Sequence, residues 1–117
     1  MPTLNQVFLI GRIGKDDPEL KVTPNGKPYT KFSLAVDQGN DKPTMWLQVT
    51  TWDKLAETVE QYAHKGMLVF VQGKLQMRTY KDKQHNIDRL SIEVSATVVQ
   101  LLEKRNATQR EDDLPDE

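Results

Sequence analysis

Trp46 and Trp52 are the two tryptophans of the chain, and both fall in a segment with the alternating pattern of a β-strand. Neighbouring side chains of a strand point to opposite faces, so the aliphatic residues share one face and the tryptophans share the polar one. A ring on a polar face is free to stack on another flat ring. Two alternatives stay open: a bulge that turns one tryptophan inward, or a second subunit that covers both.

A later segment carries cations beside an aromatic ring. Lys74, Arg78 and Tyr80 stand at even spacing, so a strand would place them on one face, and Lys31 lies on a comparable polar face of an earlier segment. Such a combination suits a single-stranded nucleic acid, because every base can stack, at about 1–3 kcal/mol, and every phosphate attracts a cation. An ordinary solvated face with one stray aromatic residue is the alternative.

The polar segment 81–88 lies between two β-prone segments and is typical of a hairpin tip. Lys81 and Lys83 belong to this segment, and they are expected to bind phosphates if the tip borders a nucleic-acid strand. A solvated tip without a ligand is an equal alternative.

Residue types for catalysis or metal binding are few. The chain has no cysteine and two histidines, His64 and His85, which excludes a disulfide framework, a thiolate nucleophile and a histidine-rich metal site. Neither histidine has a credible catalytic partner, and the adjacent acids Asp16 and Asp17 rarely converge on a substrate. We predict that the protein is not an enzyme and needs neither a cofactor nor a metal.

Hydrophobic periodicity predicts the elements that position these residues. Leu55, Val59 and Tyr62 form the apolar stripe of a helix, with Asp53 as its expected N-cap and Gly66 as its C-terminal signal. Five strands are indicated, at about residues 6–14, 29–36, 44–52, 68–80 and 89–102. Three strands, one helix and two strands predict an all-β domain, a five-stranded OB-fold barrel with its helix between strands three and four. A β-sandwich would need more strands.

Charge divides the chain into two parts. The 117 residues carry 16 bases and 17 acids, but five of the acids lie in the last seven residues, which leaves 16 bases and 12 acids over residues 1–110. We therefore expect a mildly basic domain over 1–104 and a short, acidic, disordered tail over 105–117. The apolar runs are too short to span a bilayer, and the first residues lack the pattern of a secretory signal, so a cytoplasmic protein is expected.

Several blocks in a characteristic order resemble the bacterial-type single-stranded DNA-binding proteins over roughly residues 4–104. The blocks are 4–15 (LNQVFLIGRIGK), 17–19 (DPE), 24–26 (PNG), 32–36 (FSLAV), Trp46 with its strand, 54–57 (KLAE), 62–66 (YAHKG) and 71–75 (VQGKL). The resemblance implies an OB fold that coats single-stranded DNA without strong sequence preference in replication, recombination and repair. It also implies a homotetramer in the cytoplasm, associated with the nucleoid.

The resemblance assigns roles to individual positions. Stacking positions of the family match Trp46, Trp52 and Tyr80, and its phosphate-contacting cations match Lys54, Lys65 and Arg78. Lys31 and Lys74 are added from the polar faces described above, and Lys81 and Lys83 are added from the hairpin tip. Gln48 stands where the family commonly has a base, and a further aromatic after strand two is absent, so fewer contacts are expected.

The tail departs from the family pattern. Asp112, Asp113, Leu114 and Pro115 match the acidic tip through which family members dock replication and repair partners, but a terminal Phe and a long linker are missing. The apolar anchor is reduced to Leu114 at most, so an electrostatic role in competition with DNA is an equal expectation. Two rival functions stay open: an RNA-binding or primosome-type OB protein, and an oligomeric interaction module.

Overall fold

The strands of the computed structural model, which describes residues 2–103, close into a barrel. The order around the barrel is β1-β2-β3-β5-β4, and the pairs are antiparallel except β3 with β5, which is parallel. The elements are β1 Val7–Val22, β2 Pro28–Val36, β3 Met45–Trp52, α1 Asp53–Tyr62, β4 Leu68–Asp82 and β5 Ile87–Leu101. The predicted OB fold, with its helix between the third and fourth strands, is confirmed.

The core lies inside the barrel, on the inward side of each strand. Alternate residues are buried, as Val69 and Val71 of β4 show, and Leu34, Val49 and Val94 are buried with them. Burying each such aliphatic side chain stabilises the fold by about 1.5–3 kcal/mol. α1 closes the barrel with residues buried on its inner face, Ala56 and Val59, followed by Ala63.

β1 continues past the point where the sequence predicted an interruption. Its register with β2 shifts between Gly14 and Glu19, so residues 15–18 bulge out of the strand, and β1 resumes as far as Val22. Pro18 lacks a backbone N–H and is accommodated at this irregularity, because a bulge needs no ladder hydrogen bond there. The expected loop between the first two strands is therefore shortened to residues 23–27.

The ends of α1 differ from the prediction. Asp53 was expected at the N-cap of the helix, but the N-cap residue is Trp52 and its side chain makes no capping hydrogen bond. Asp53 is the first residue of the helix and has a φ of 57°. The helix ends at Tyr62, where the N–H of Ala63 donates to the Val59 carbonyl at 2.8 Å. Gly66 lies beyond the cap, with a φ of 89°, and turns the chain into β4.

The β4–β5 hairpin projects beyond the part of β4 that pairs with β1. That pairing ends with Val7 opposite Gly73. The side chain of Asn5 then takes the place of a strand: its Nδ2 donates to the Leu75 carbonyl at 2.9 Å, and its Oδ1 accepts from the Leu75 N–H at 3.0 Å. Past this point β4 is paired, within residues 2–103, only with β5.

Candidate nucleic-acid interface

One outward surface runs across four strands of the barrel. Lys31 on β2 pairs with Thr50 on β3. Thr50 pairs in turn with Ser95 on β5, and Ser95 pairs with Lys74 on β4, so these side chains share one face. We call this surface the polar face; its members are Tyr29, Lys31, Ser33, Trp46, Gln48, Thr50, Trp52, Lys74, Gln76, Arg78, Tyr80, Ser91, Glu93 and Ser95.

Both tryptophans lie on the polar face, as the alternation predicted. Trp46 is 51% exposed, and Trp52, at the end of β3, is half-buried. The intervening Val49 and Thr51 point inward and are fully buried. The alternative in which a bulge turns one tryptophan into the core is therefore excluded.

Trp52 is supported by a second ring that the sequence did not single out as a site residue. Tyr29 pairs with Trp52 across β2 and β3, and the ring centroids lie 5.4 Å apart with planes tilted by 38°. Tyr29 lies opposite Trp52 because of the register of β2 against β3, and the sequence alone does not determine that register. The two rings line an open groove of about 660 Å³.

Cations line the same groove. Lys31 and Arg78, both predicted from the sequence, reach it from strands on opposite sides of β3 and β5. Arg78 is tied to Glu93: its Nη2 donates to Glu93 Oε2 at 2.9 Å, and the Ser91 hydroxyl donates to the same oxygen at 3.0 Å. The groove thus offers flat rings and positive charge side by side.

Glu93 is ionised under ordinary conditions. Burial raises the pKa of this carboxyl, whose side chain is only 14% exposed, but hydrogen bonds from Ser91 and Arg78 and the charges of Arg78 and Lys31 outweigh it. The net result is a pKa for Glu93 below its ordinary value. Glu93 therefore holds the Arg78 guanidinium in the groove, where its remaining N–H groups can meet a ligand.

Trp46 rests against the backbone of β1. A Cβ added at Gly14 would lie 2.4 Å from Cζ3 of Trp46, which is closer than such atoms approach. Glycine at this position therefore provides the space in which the indole lies.

Tyr80 lies on the projecting hairpin, away from the barrel. It is 50% exposed and pairs with Arg89, whose Nε donates to Asp82 Oδ2 at 2.9 Å. Hydrogen bonds from His85 and Arg89 hold the pKa of Asp82 below its ordinary value. Asp82 also accepts from the N–H groups that follow it and so organises the hairpin tip.

The remaining predicted cations are spread around this surface. Lys54 is exposed in the first turn of α1, two residues after Trp52. Lys65 is exposed beyond the other end of the helix, and its backbone N–H donates to Asp17 Oδ1 at 2.7 Å. Lys81 lies 3.9 Å from Asp88 across the hairpin, and Lys83 is exposed at its tip. Asp112, Asp113, Leu114 and Pro115 lie outside the described residues.

The described residues hold neither a cluster of metal-ligating side chains nor a helix able to span a membrane. Within residues 2–103 no group of three or more His, Asp or Glu side chains is arranged to hold a metal ion. The helix in this part of the chain is too short and too polar to cross a membrane.

These features define a five-stranded OB-fold barrel of the kind whose face and loops bind oligonucleotides or oligosaccharides. The chain belongs to the single-strand binding protein family, whose model matches residues 4–102. The resemblance drawn from the sequence blocks is thereby confirmed.

Similar proteins from several bacteria are named single-stranded DNA-binding proteins. A "Single-stranded DNA-binding protein" of Neisseria meningitidis is 39% identical over 111 residues, covering 89% of this chain and 63% of the relative. "Single-stranded DNA-binding protein A" of Bacillus subtilis is 40% identical over 109 residues, covering 88% and 62%. A "Single-stranded DNA-binding protein" of Caldanaerobacter subterraneus is 40% identical over 108 residues, covering 88% and 71%. The chain thus spans less than two thirds of the first two relatives.

We predict that Gly14→Ala displaces Trp46 without unfolding the barrel, because the added methyl meets the far end of an exposed indole rather than the core. The near-UV circular dichroism and tryptophan emission should change, while the free energy of unfolding stays within about 1 kcal/mol. In a Trp46→Phe background the same glycine substitution should leave the Trp52 signal unaltered. A Gly14 effect that persists there would mean that the methyl disturbs more than Trp46.

We predict that Glu93→Gln lowers the free energy of unfolding by about 1 kcal/mol at neutral pH, because two hydrogen bonds lose the charge on their acceptor. The pKa of Glu93 is lower in the folded protein, so this stabilisation is present above the unfolded-state pKa and is lost as the pH falls through the folded-state pKa.

Urea unfolding at a fixed protein concentration tests the Glu93 prediction. The difference between variant and wild type should be smaller in acid, below the ordinary pKa of a glutamate, than at neutral pH. Asp88→Asn, which removes the acid of an exposed pair, is the matched control and should change little at either pH. Equal differences for Glu93→Gln at both pH values would show that its charge is not the cause.

Proposed function

We propose that the protein binds single-stranded DNA without strong sequence preference, by stacking bases on exposed rings and neutralising phosphates with lysine and arginine. The observation that carries this proposal is the groove in which Tyr29 and Trp52 lie beside Lys31 and Arg78. Rings accept any base, and the cations bind a backbone that is the same at every position. Membership of the family and the names of the relatives support the same assignment.

Each predicted residue has a part in this mechanism. Trp46, Trp52 and Tyr80 are the stacking rings, spread along the polar face and its hairpin, so successive bases meet separate platforms. The cations that neutralise the backbone are Lys31, Lys54, Lys65, Lys74, Arg78, Lys81 and Lys83. The role requires no bond to be made or broken, so the protein acts as a binding protein rather than an enzyme and uses no cofactor.

The cellular role follows from the ligand. Single strands arise during replication, recombination and repair, and we propose that the protein coats and protects them there, in the cytoplasm beside the nucleoid. A role of Asp112, Asp113, Leu114 and Pro115 in binding other proteins stays a prediction, because these residues lie outside the described part of the chain.

Two exposed apolar surfaces support assembly into a homotetramer. The first lies on the outside of β1, β4 and β5, where Phe8 is 62% exposed and Ile10 and Val98 are also exposed. The second lies on the hairpin, where Met77, 69% exposed, pairs with Ile92. A tetramer with three perpendicular two-fold axes needs two different self-complementary interfaces, and these surfaces offer two.

We predict that oligo(dT) of about 65 nucleotides, enough for four barrels at up to about 16 nucleotides each, strongly quenches the tryptophan fluorescence. Trp52→Ala should weaken binding by about 1–3 kcal/mol, with the fold retained, because a stacking platform is lost. Tyr62→Ala, which removes an exposed ring of α1 away from the polar face, is the matched control and should bind as the wild type does.

The outcomes of this titration separate the rival functions. An absence of quenching at low salt would contradict the proposal, and tryptophans that stay silent in an oligomer would identify the polar face as a subunit interface. Tighter binding of RNA than of DNA in competition would favour an RNA-binding or primosome-type protein.

We predict that Ile10→Lys and Met77→Lys each convert the tetramer into dimers, and that the double variant is monomeric, because each lysine places a charge in one of the two apolar interfaces. Sedimentation velocity measures the result. Tyr62→Lys makes the same chemical change on α1, outside both surfaces, and should leave the tetramer intact. A monomeric wild type, or two single variants that stay tetrameric, would refute this assembly.

A further inference from the structure

Each tryptophan of the chain has a lysine ammonium next to its ring. Lys15 Nζ lies 5.6 Å from the ring centroid of Trp46, and Lys27 Nζ lies 5.1 Å from that of Trp52. These are the two cation–ring contacts within residues 2–103. Neither lysine is among the phosphate-binding cations that the sequence or the family pattern indicated.

The backbone places Lys15 beside Trp46. Lys15 has a φ of 69°, in the left-handed region that residues with side chains seldom adopt. It follows Gly14, against which the Trp46 indole rests, and it begins the bulge of β1. The bulge is anchored where Asp17 Oδ1 accepts from the Lys65 N–H at 2.7 Å. A strained conformation held by such an anchor often serves a function.

A tight turn places Lys27 beside Trp52. The Thr23 N–H donates to the Lys27 carbonyl at 2.9 Å, and the Lys27 N–H donates to Thr23 Oγ1 at 3.0 Å. Gly26 provides the left-handed residue of the turn, with a φ of 88°. Lys27 Nζ also lies 3.8 Å from Asp53 Oδ2, an exposed and weak ion pair. The lysine backbone is therefore fixed, while its ammonium stays free to change partner.

A nucleotide stacked on either ring brings its phosphate within the reach of the neighbouring lysine side chain. The ring attracts the ammonium only through its quadrupole, whereas the phosphate carries a full negative charge. The ammonium therefore gains by leaving the ring for the phosphate, and the ring face becomes available to the base.

We propose that Lys15 and Lys27 are nucleotide-binding residues, each moving from its tryptophan to the phosphate of the nucleotide that stacks there. This inference rests on the proposed binding of single-stranded DNA and extends it: stacking and phosphate neutralisation are coupled at Trp46 and again at Trp52. Two phosphate contacts are thereby added to those of Lys31 and Arg78.

The salt dependence of binding tests the proposal in the full-length chain. Anisotropy of a dye-labelled oligo(dT) gives the association constant at several salt concentrations for wild type, Lys15→Gln, Lys27→Gln and Lys42→Gln. Each of the first two variants should bind more weakly and reduce the slope of log K against log salt by about 0.7, the value for one lost phosphate contact on a single strand. Lys42 contacts neither tryptophan nor an acid within the described residues, and its variant should keep the wild-type slope.

Arginine variants and quenching of the free protein sharpen the test. Lys15→Arg and Lys27→Arg keep the charge and should restore the slope. Iodide should quench the tryptophans of the glutamine variants less than those of the wild type, because the nearby ammonium concentrates the anion, whereas neutral acrylamide should quench both equally. Circular dichroism and the unfolding midpoint verify that the variants are folded.

Other results of these measurements would overturn the inference about Lys15 and Lys27. An unchanged slope, or tighter binding by the glutamine variants, would show that the lysines merely cover the rings, and would overturn the inference. Failure of arginine to restore the slope would do the same, since the loss would not stem from charge. If the wild type itself does not bind the oligonucleotide, the proposed function fails instead.

Discussion

The short parallel pairing of β3 with β5 is the contact on which the rest of this structure depends. Gln48, Val49 and Thr50 pair there with residues 93–95, and this pairing joins β3 to β5 in the closed barrel. Val49 and Val94 are fully buried on the inner side of this pairing. On the outer side the same residues join the tryptophan strand to the hairpin that carries Arg78 and Tyr80. Without this closure the tryptophan strand and the hairpin would lie at opposite edges of one open sheet, in the order β3-β2-β1-β4-β5.

Much of the fold and part of the site could be predicted from the sequence. The alternation around Val49 places Trp46 and Trp52 outside because a strand offers two faces and the aliphatic residues occupy the inner one. The helix follows from its apolar stripe. Details that depend on pairing could not be predicted: Tyr29 reaches Trp52 through the β2–β3 register, and β1 absorbs Pro18 in a bulge rather than ending there.

Charge on the polar face is balanced locally. Gln48, which is uncharged, pairs directly with Glu93 across the parallel contact. The negative charge of Glu93 is balanced by Arg78 on β4 and Lys31 on β2. The positive charge of the groove therefore lies on β4 and β2 rather than at position 48 of β3. The groove therefore presents guanidinium and ammonium groups beside the Tyr29–Trp52 pair, which the β2–β3 register brings together.

The amide of Asn5 has a consequence for how molecules of this protein meet. A β-strand with an unpaired edge is a template onto which another chain can add, and such addition has no natural end point. The side chain of Asn5 occupies the first rung of the open edge of β4, and Arg78 and Lys81 follow along that strand. Because Asn5 occupies the first hydrogen-bonding position and the rest of the edge carries positive charge, edge-to-edge pairing with another molecule is disfavoured. In the proposed assembly, two molecules then meet through their apolar faces, in contacts that close on themselves rather than growing into fibres.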